Sequence, residues 1–279
     1  MVVAPTTRVV VVTGASSGIG LVTARELARR GDHVVLIGRD PNRLAWAAET
    51  VRDSGVVVRP PTVLRADFAV LDQVRAVAAR LRSMYDRIDV LINNAGLLAP
   101  GNVTTVDGHE LTMQVNYLAA FLLTHLLMER LPPGARVIMT TSALARLGRL
   151  DPVTLRDNRW HFSRWGAYCS SKQAVTLFTR EAAARWREHG VVPTCLHPGA
   201  VRTGFARGSA FRLAMGLPGF VTPEEGADTL VWLATDDAGL ATPGAYYVRR
   251  QQRIPPRRAR DPQLAAQLWE SSLTAVGLA

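Results

Sequence analysis

The stretch TGASSGIG, Thr13 to Gly20, follows a valine-rich run and leads directly into a segment of helical period. Glycines at a strand-to-helix turn let backbone N–H groups approach a pyrophosphate, which the positive end of the helix then stabilises. The spacing G-x3-G-x-G differs from the general G-x-G-x-x-G fingerprint, so its position between first strand and first helix is the stronger signal. The stretch predicts a dinucleotide-binding unit, with a purely structural tight turn as the alternative. The candidate cofactor residues in it are Gly14, Ser16, Ser17, Gly18, Ile19 and Gly20.

On either side of this turn, short β-branched runs alternate with longer segments of helical period. The runs are Arg8–Thr13, His33–Ile37, Thr62–Ala66, Ile88–Ile92, Ala135–Thr141, Val191–Leu196 and a last one near Ala245. The helical segments include Ile19–Arg30, Val70–Met84, Leu111–Leu131 and Ala167–His189. This alternation predicts βαβ units, and strands that are continuous Val/Ile runs predict burial on both faces. The expected fold class is α/β: a Rossmann-type, doubly wound parallel sheet of about seven strands with helices on both faces.

Length and composition fit one domain of this kind. The chain has 279 residues, of which 48% are hydrophobic, and no linker-like run divides it, so we expect a single domain over residues 1–279. Two cysteines, Cys169 and Cys195, are too few for a disulfide framework and lack metal-ligand spacing, which indicates free thiols, a reducing compartment and no metal site. The N-terminal sequence has no signal-peptide pattern, and the apolar segment Tyr117–Leu131 is too short to span a membrane. We therefore expect a cytoplasmic protein without a transmembrane segment.

The formal net charge of +10 raises nucleic acid and anionic membranes as partners. The arginines, however, are spread along the chain and alternate with Asp and Glu in several helices, as on a solvated surface. We therefore expect no nucleic acid partner. The exception is RRQQRIPPRRAR, Arg249 to Arg260, which contains arginines and no acid. This segment is either a solvated surface or a patch that binds an anionic partner.

Position 39 bears on the choice of cofactor. An NAD-binding unit usually places an acid for the ribose 2′-hydroxyl about 20 residues after the glycine turn. This chain has Gly38 and Arg39 in that region. A guanidinium can make charge-assisted bonds to a 2′-phosphate, which an acid would repel, so the sequence favours NADP(H). The alternative is that Arg39 points to solvent and Asp40 binds the hydroxyl.

The stretch YCSSK, Tyr168 to Lys172, contains the only lysine among 33 lysine and arginine residues. Lysine is a compact point charge with a tunable pKa, so a site that needs those properties cannot accept a guanidinium. On one helix, a separation of four residues places Tyr168 and Lys172 on the same face. A nearby ammonium favours the phenolate and is expected to lower the tyrosine pKa from about 10. Tyr168 is then a usable general acid and base.

Four motifs, in order and spacing, resemble the short-chain dehydrogenase/reductase family across nearly the whole chain. They are TGASSGIG, NNAG at Asn93–Gly96, YCSSK, and HPGAVRT at His197–Thr203. The stretches ARELARRG, MQVNYLAAFLLT, WGAYCSSK, LFTRE and LWE resemble its retinol dehydrogenase-like branch. The resemblance implies a catalytic tetrad of Asn116, Ser142, Tyr168 and Lys172. The chain departs from many relatives in having TTS where they have two serines, and its N-terminus shows no membrane anchor of the kind several retinol dehydrogenases carry.

The resemblance also implies a role for each candidate residue. Ser142 would donate to the carbonyl oxygen, Lys172 would hydrogen-bond the nicotinamide ribose, and Asn116 would hold a water that relays protons to Lys172. Asp67 would meet the adenine, although an aspartate there could equally cap the next helix. Thr203 would contact the carboxamide, and His197 is expected to be structural. The other expected cofactor contacts are Asn94, Ala95, Gly96, Pro198, Gly199 and Val201.

These observations predict an oxidoreductase that transfers hydride between NADP(H) and a carbonyl or alcohol group of a hydrophobic small molecule. The alternative is a catalytically idle NADP(H)-binding regulatory protein, and a third possibility is a protein that binds anionic surfaces through Arg249–Arg260. Two segments, Asp157–Ala167 and residues 204–222, are expected to wall the substrate pocket, the second as a lid. The resemblance suggests a homodimer or homotetramer packed through Leu111–Leu131 and Ala167–His189.

Overall fold

The structure is a computed structural model that describes residues 7–55, 59–157, 163–201 and 220–279. Its strands over those ranges are β1 Val9–Thr13, β2 His33–Gly38, β3 Thr62–Arg65, β4 Val90–Asn93, β5 Arg136–Thr140, β6 Leu150–Asp151, β7 Arg156–Asp157, β8 Val192–His197, β9 Ala200–Val201, β10 Phe220–Val221, β11 Tyr246–Val248 and β12 Gln251–Arg253. The longer helices are α1 Gly18–Arg29, α2 Pro41–Arg52, α3 Leu71–Met84, α4 Leu111–Arg130, α5 Arg164–Arg185, α6 Pro223–Thr235 and α7 Pro262–Ala275.

Eight of these strands form one sheet in the order β3-β2-β1-β4-β5-β8-β11-β12. All neighbours pair in parallel except β11 and β12, which are antiparallel. The chain moves outward from β1 to β2 and β3 and then returns to place β4 on the other side of β1. The carboxyl ends of β1 and β4 therefore flank the switch point at which an open α/β sheet binds its ligand. The predicted Rossmann-type α/β fold is confirmed.

The eighth strand was missing from the prediction of about seven. It lies in the arginine-rich segment, where Arg249 and Arg250 form a two-residue turn with φ of 51° and 59°. Two-residue hairpin turns with positive φ usually contain Asn-Gly or Asp-Gly, because the left-handed region disfavours other residues. The strand itself, Gln251–Arg253, is exposed throughout and has no apolar alternation. Neither signal of a strand is present in the sequence.

Two apolar cores lie on opposite faces of the sheet, and neighbouring residues of a strand contribute to different cores. Val10 and Val12 belong to the core shared with α1, α2 and α6, whereas Val11 belongs to the core shared with α3, α4, α5 and α7. All three valines have no exposed surface. This is the double coverage that continuous apolar strands predict.

Three helices begin with the same local device, a polar cap followed by proline. Asp40 caps α2 and Asp261 caps α7 by accepting from backbone N–H groups of the first turn, and Thr222 forms a reciprocal capping box with Glu225 at α6. Proline suits the first helical position because its missing N–H has no partner there in any case. The position of α2 directly after β2 matters for the site, because its cap uses Asp40.

Helix α4 is the most apolar helix and lies in the interior. It is long and apolar enough to cross a membrane by those measures alone, but 78% of its apolar window is buried inside the protein. Helix α7 packs over α4 and α5: Trp269 stacks on Phe178 at 5.7 Å between ring centroids, and Ser272 hydrogen-bonds Tyr117 at 2.7 Å. Part of the surface that was expected to bind a second copy is therefore covered by the chain's own helix.

Candidate active site

The glycine turn after β1 has the geometry of a cradle. Gly14 and Gly18 adopt φ of 66° and 55°, in the left-handed region that favours glycine. A Cβ on Gly20 would lie 2.4 Å from the carbonyl oxygen of Gly14 and 2.6 Å from Nδ2 of Asn94. Ser17, which precedes α1, makes no side-chain cap, and the first turn carries no acid. The first N–H groups of α1 thus remain available to an anion.

Thr13 joins this turn to the NNAG segment. Its hydroxyl donates to the carbonyl of Ile92 and accepts from the N–H groups of Asn94 and Ala95, both at 3.0 Å. The Asn94 side chain in turn donates to the Thr13 carbonyl and accepts from the hydroxyl of Thr140. The ends of β1, β4 and β5 are therefore joined by one hydrogen-bond network at the switch point.

The corner after β2 separates the roles of Arg39 and Asp40. One Asp40 oxygen accepts from the backbone N–H groups of Asn42 and Arg43 at 3.0 and 3.1 Å, and the other lies 3.8 Å from the Arg43 guanidinium. Arg39 is exposed, and no carboxylate in the described ranges pairs with it. The Asp40 carboxylate is thus committed to the helix cap, which weakens the alternative that it binds a ribose hydroxyl.

Asp67, after β3, does not cap α3. Its Oδ1 accepts from the Ala69 N–H at 3.0 Å within a local turn, and its own N–H donates to the side chain of Gln73. The residue that precedes α3 is Val70, which has no side-chain cap. The capping alternative for Asp67 is therefore wrong.

Asn116 and Lys172 meet beside Gly96. Asn116 exchanges two hydrogen bonds with the backbone of Leu97, accepting at 2.7 Å and donating at 3.0 Å, and also donates to Ser171. A Cβ on Gly96 would lie 3.2 Å from Asn116 Oδ1 and 3.5 Å from Lys172 Nζ. Asn116 sits in a π-helical turn, Gln114–Leu118, and such turns occur frequently at functional sites.

Tyr168 and Ser142 form the second half of the site. The Ser142 hydroxyl accepts from the Leu144 N–H at 3.2 Å, and its interaction with the Tyr168 hydroxyl acts to lower the pKa of that phenol. Tyr168 keeps some exposed surface, but its hydroxyl lies among protein atoms, and this burial raises its pKa to about 12 despite the bond to Ser142. The prediction of a lowered tyrosine pKa is therefore wrong, because burial has the largest effect on this phenol and raises its pKa.

The position of the Lys172 ammonium explains why it does not lower the pKa of Tyr168. Its Nζ donates to the Thr140 carbonyl at 2.8 Å and lies 5.8 Å from the centre of the Tyr168 ring. The side chain is 3% exposed, and burial lowers the pKa of Lys172 to about 8. The expected shared face on α5 is present, with Tyr168 and Lys172 one helical turn apart.

The segment after β8 reaches the glycine turn through α6. Gly199 has φ of 96°, and Ala200–Val201 pairs with Phe220–Val221 as a short parallel ribbon. A Cβ on Gly226 of α6 would lie 2.8 Å from Val201 and 3.3 Å from Ile19. Pro198 precedes this ribbon, whereas Thr203 lies outside the described residues, as does the expected lid apart from residues 220–222.

A cavity of about 420 Å³ is lined by Leu144, Leu147, Ser163, Trp165 and Cys169. Trp165 lies one helical turn before Tyr168, and the two rings are nearly perpendicular with centroids 6.4 Å apart. Four of the five lining side chains have no charge or hydroxyl group. The cavity is suited to an apolar ligand, and two of its lining residues, Trp165 and Cys169, lie on α5 with Tyr168.

A family model for short chain dehydrogenases matches residues 8–210. The chain belongs to the short-chain dehydrogenase family. It is 46% identical over 272 residues to a protein of Streptomyces sp. (strain C5) that carries the provisional name daunorubicin C-13 ketoreductase DnrU, covering 97% of this chain and 93% of that one. It is 36% identical to human retinol dehydrogenase 13 over 282 residues, covering 97% of this chain and 85% of that one, which confirms the retinol dehydrogenase-like branch.

A solved structure agrees with the fold. A blue fluorescent protein from a metagenomic library, solved in complex with NADPH, superposes with a TM-score of 0.68 at 27% identity, covering 86% of this chain and 94% of that chain. As a member of this family the protein is an oxidoreductase that uses a nicotinamide cofactor. The glycine cradle and the uncapped N-terminus of α1 fit the pyrophosphate of such a cofactor.

Several residues that organise this short-chain dehydrogenase site were not singled out in the sequence. Thr13 and Ser171 lie inside the quoted motifs, so their hydroxyls could have been considered as partners of the motif backbone. Thr140 lies in the TTS stretch noted above, but its role, like that of Gly226, depends on which strand and helix ends meet. In the described parts of the chain, no three His, Cys, Asp or Glu side chains lie together as a metal site, and both cysteines are free and buried.

Proposed function

We propose that the protein reduces the carbonyl group of a hydrophobic substrate with NADPH, with Tyr168 as the proton donor. The observation that carries the proposal is the grouping of Ser142, Tyr168 and Lys172, with Ser142 acting on the pKa of the Tyr168 phenol and the Lys172 ammonium 5.8 Å from the centre of its ring. A pKa of about 12 keeps the Tyr168 phenol protonated at neutral pH, which is the form that a proton donor requires.

Each side chain has a role that its position supports. Ser142 donates to the carbonyl oxygen as negative charge develops there, and Tyr168 gives that oxygen its proton. Lys172 holds positive charge one turn away, which stabilises the phenolate that remains. Asn116 fixes the loop at Leu97 beside Lys172, and the cofactor, when bound, supplies the hydride.

The preference for NADPH over NADH rests on the corner after β2. Arg39 is exposed and unpaired within the described chain, while the acid beside it is committed to the cap of α2. A 2′-phosphate would find a guanidinium there instead of a repelling carboxylate. The NADPH complex of the metagenomic relative supports the same choice.

The substrate class follows from the cavity and from the relatives. Its lining is mainly apolar and includes the indole of Trp165. The names of the relatives refer to a C-13 ketone of daunorubicin and to retinol. We propose a bulky, ring-containing or polyene carbonyl compound as substrate and a reaction in the cytoplasm.

The test is a screen of aldehydes and ketones, including all-trans-retinal, daunorubicin and simple aryl ketones, followed by loss of NADPH absorbance. We expect turnover with at least one bulky apolar carbonyl and its disappearance in Tyr168→Phe. Tight NADPH binding without turnover on any member, or with the alcohols in reverse, would instead identify an idle cofactor-binding protein.

A further inference from the structure

The corner where β2 and β3 end carries a second guanidinium besides that of Arg39. Arg65 is the last residue of β3 and pairs in register with Gly38, the last residue of β2. Its Nε donates to the backbone carbonyl of Arg39 at 3.1 Å. This bond anchors the Arg65 guanidinium beside the residue that we propose as the phosphate ligand.

Both arginines have unused hydrogen-bonding capacity. Arg65 is exposed, and over the described ranges neither Arg39 nor Arg65 forms an ion pair with a carboxylate. Arg65 donates to the Arg39 carbonyl through Nε, so the N–H groups of both Nη atoms can donate to another acceptor. The strand that carries it is at the edge of the sheet, and no further strand among the described residues covers this side.

The two acids nearest in sequence, Asp40 and Asp67, form no ion pair with either of these arginines and accept from backbone N–H groups instead. Asp40 is held by the α2 backbone and by Arg43, at 3.8 Å from its guanidinium. On the other side of the corner, the Ser16 hydroxyl lies 3.4 Å from the position of a Cβ on Gly38. Two guanidiniums and a hydroxyl at one strand end match the three terminal oxygens of a phosphate monoester.

We propose that Arg65 is a second ligand of the 2′-phosphate of NADP(H) and, with Arg39, determines the preference for this cofactor. This inference rests on the cofactor choice in the proposed function. Arg65 approaches from β3 and Arg39 from the β2–α2 corner, so the two contact the phosphate from different sides. The anchor to the Arg39 carbonyl reduces the side-chain freedom that Arg65 would lose on binding.

A structural role must be separated from this one, because the same hydrogen bond also ties β3 to the β2–α2 corner. The probes are 2′,5′-ADP and 5′-AMP, which differ in the 2′-phosphate, titrated calorimetrically into the full-length protein. We expect the wild type to prefer 2′,5′-ADP, and Arg65→Ala to weaken 2′,5′-ADP binding about tenfold or more while 5′-AMP binding changes less than about twofold.

Matched variants complete the test. Arg43→Ala removes an exposed guanidinium of the same corner that already faces Asp40, and it should leave the ratio of the two affinities unchanged. Arg65→Lys keeps the charge without the planar guanidinium and should lose part of the preference for 2′,5′-ADP over 5′-AMP. This variant keeps the test valid if Arg65→Ala folds poorly.

The outcomes are distinct. Equal weakening of both nucleotides in Arg65→Ala, or no weakening of either, would overturn the role of Arg65 and leave NADP(H) preference to Arg39 alone. A wild-type protein that binds both probes equally would overturn the cofactor choice itself, and the Arg65 role with it. Neither result depends on catalytic activity.

Discussion

The surroundings of Lys172 explain why this position holds a lysine in a chain that otherwise uses arginine. The ammonium is 3% exposed, is 2.8 Å from the Thr140 carbonyl, and lies 3.5 Å from where a Cβ on Gly96 would be. A guanidinium is larger, and its donors are differently placed. We expect folded Lys172→Arg to lose turnover by about 10²–10⁴-fold, measured with an accepted carbonyl and NADPH.

Tyr168→Phe keeps the ring beside Trp165 but removes the transferable proton, and it should lose activity by a similar factor. Because the two side chains act as one unit, the double variant should be little worse than the poorer single one. Near-wild-type turnover in folded Lys172→Arg would contradict the mechanism, since it would show that any positive charge suffices.

The pKa of Lys172 makes stability depend on pH in a predictable direction. Burial lowers this pKa from 10.5 to about 8, so between these values the unfolded chain binds more protons than the folded one. The free energy of unfolding therefore rises with pH between about 8 and 10.5. Below pH 8 the charged, buried ammonium destabilises the folded state by about 3 kcal/mol.

Lys172→Met lacks this titration, so its stability advantage over the wild type should shrink from pH 7 to pH 10 by a large part of that amount. Denaturant unfolding of both proteins across the range measures the difference, and groups common to both cancel. If the difference in unfolding free energy between the two proteins were the same at every pH, burial would not lower the pKa of Lys172 in the folded state.

Arg39 is the residue on which cofactor preference is expected to depend most directly. Arg39→Ala should raise the KM for NADPH by about tenfold or more and leave that for NADH nearly unchanged, because only NADPH loses a phosphate partner. Steady-state kinetics with both cofactors check this, and equal losses would point to a general defect of the β2–α2 corner.

The residues of the site were predictable where a motif carries them and not where the fold brings them together. Gly14, Asn116 and Lys172 lie in recognisable stretches, and the structure places each at the switch point. The pKa of Tyr168 was not predictable, because it depends on burial that only the assembled site creates. The approach of Arg65 to Arg39 likewise depends on the register between β2 and β3, which the sequence does not state.

At the scale of elements, the strand–turn–helix unit tolerates no side chain at Gly20. A Cβ there would overlap the Gly14 carbonyl at 2.4 Å. Gly20→Ala should therefore displace the turn, weaken NADPH binding by at least about tenfold and lower stability by about 1–3 kcal/mol. Gly101→Ala is the matched control, because a Cβ at that position meets nothing within 4 Å. Fluorescence titration with NADPH and denaturant unfolding report the two effects.

Most elements were predictable because their residue types and their hydrophobic periodicity indicate the same kind of element. Predicted strands such as Ala135–Thr141 and helices such as Val70–Met84 match the observed Arg136–Thr140 and Leu71–Met84 to within a residue at each end. In β12 no signal was present, since neither its turn nor its strand has the usual residue types. The π-helical turn around Asn116 was also invisible, because one inserted residue barely changes an apolar helical pattern.

At the scale of the whole molecule, α7 completes the core on one face of the sheet. Trp269 is 5% exposed and contacts the rings of Phe121, Phe178 and Trp186. Trp269→Ala should cost about 3–5 kcal/mol in the free energy of unfolding. Trp46→Ala removes the same side chain where it is 56% exposed and should change stability by less than about 1 kcal/mol. Comparable losses in both variants would show that α7 does not pack as described.

The two borders of the sheet have a consequence for how the protein behaves at high concentration. A parallel sheet ends in strands whose free N–H and C=O groups can recruit a strand from another copy, which is a route to aggregation. Here both terminal strands are short, β3 with four residues and β12 with three, and they end in Arg65 and Arg253. Two such borders would bring like charges together on contact. The arginine at each border therefore opposes edge-to-edge pairing of two copies by charge repulsion.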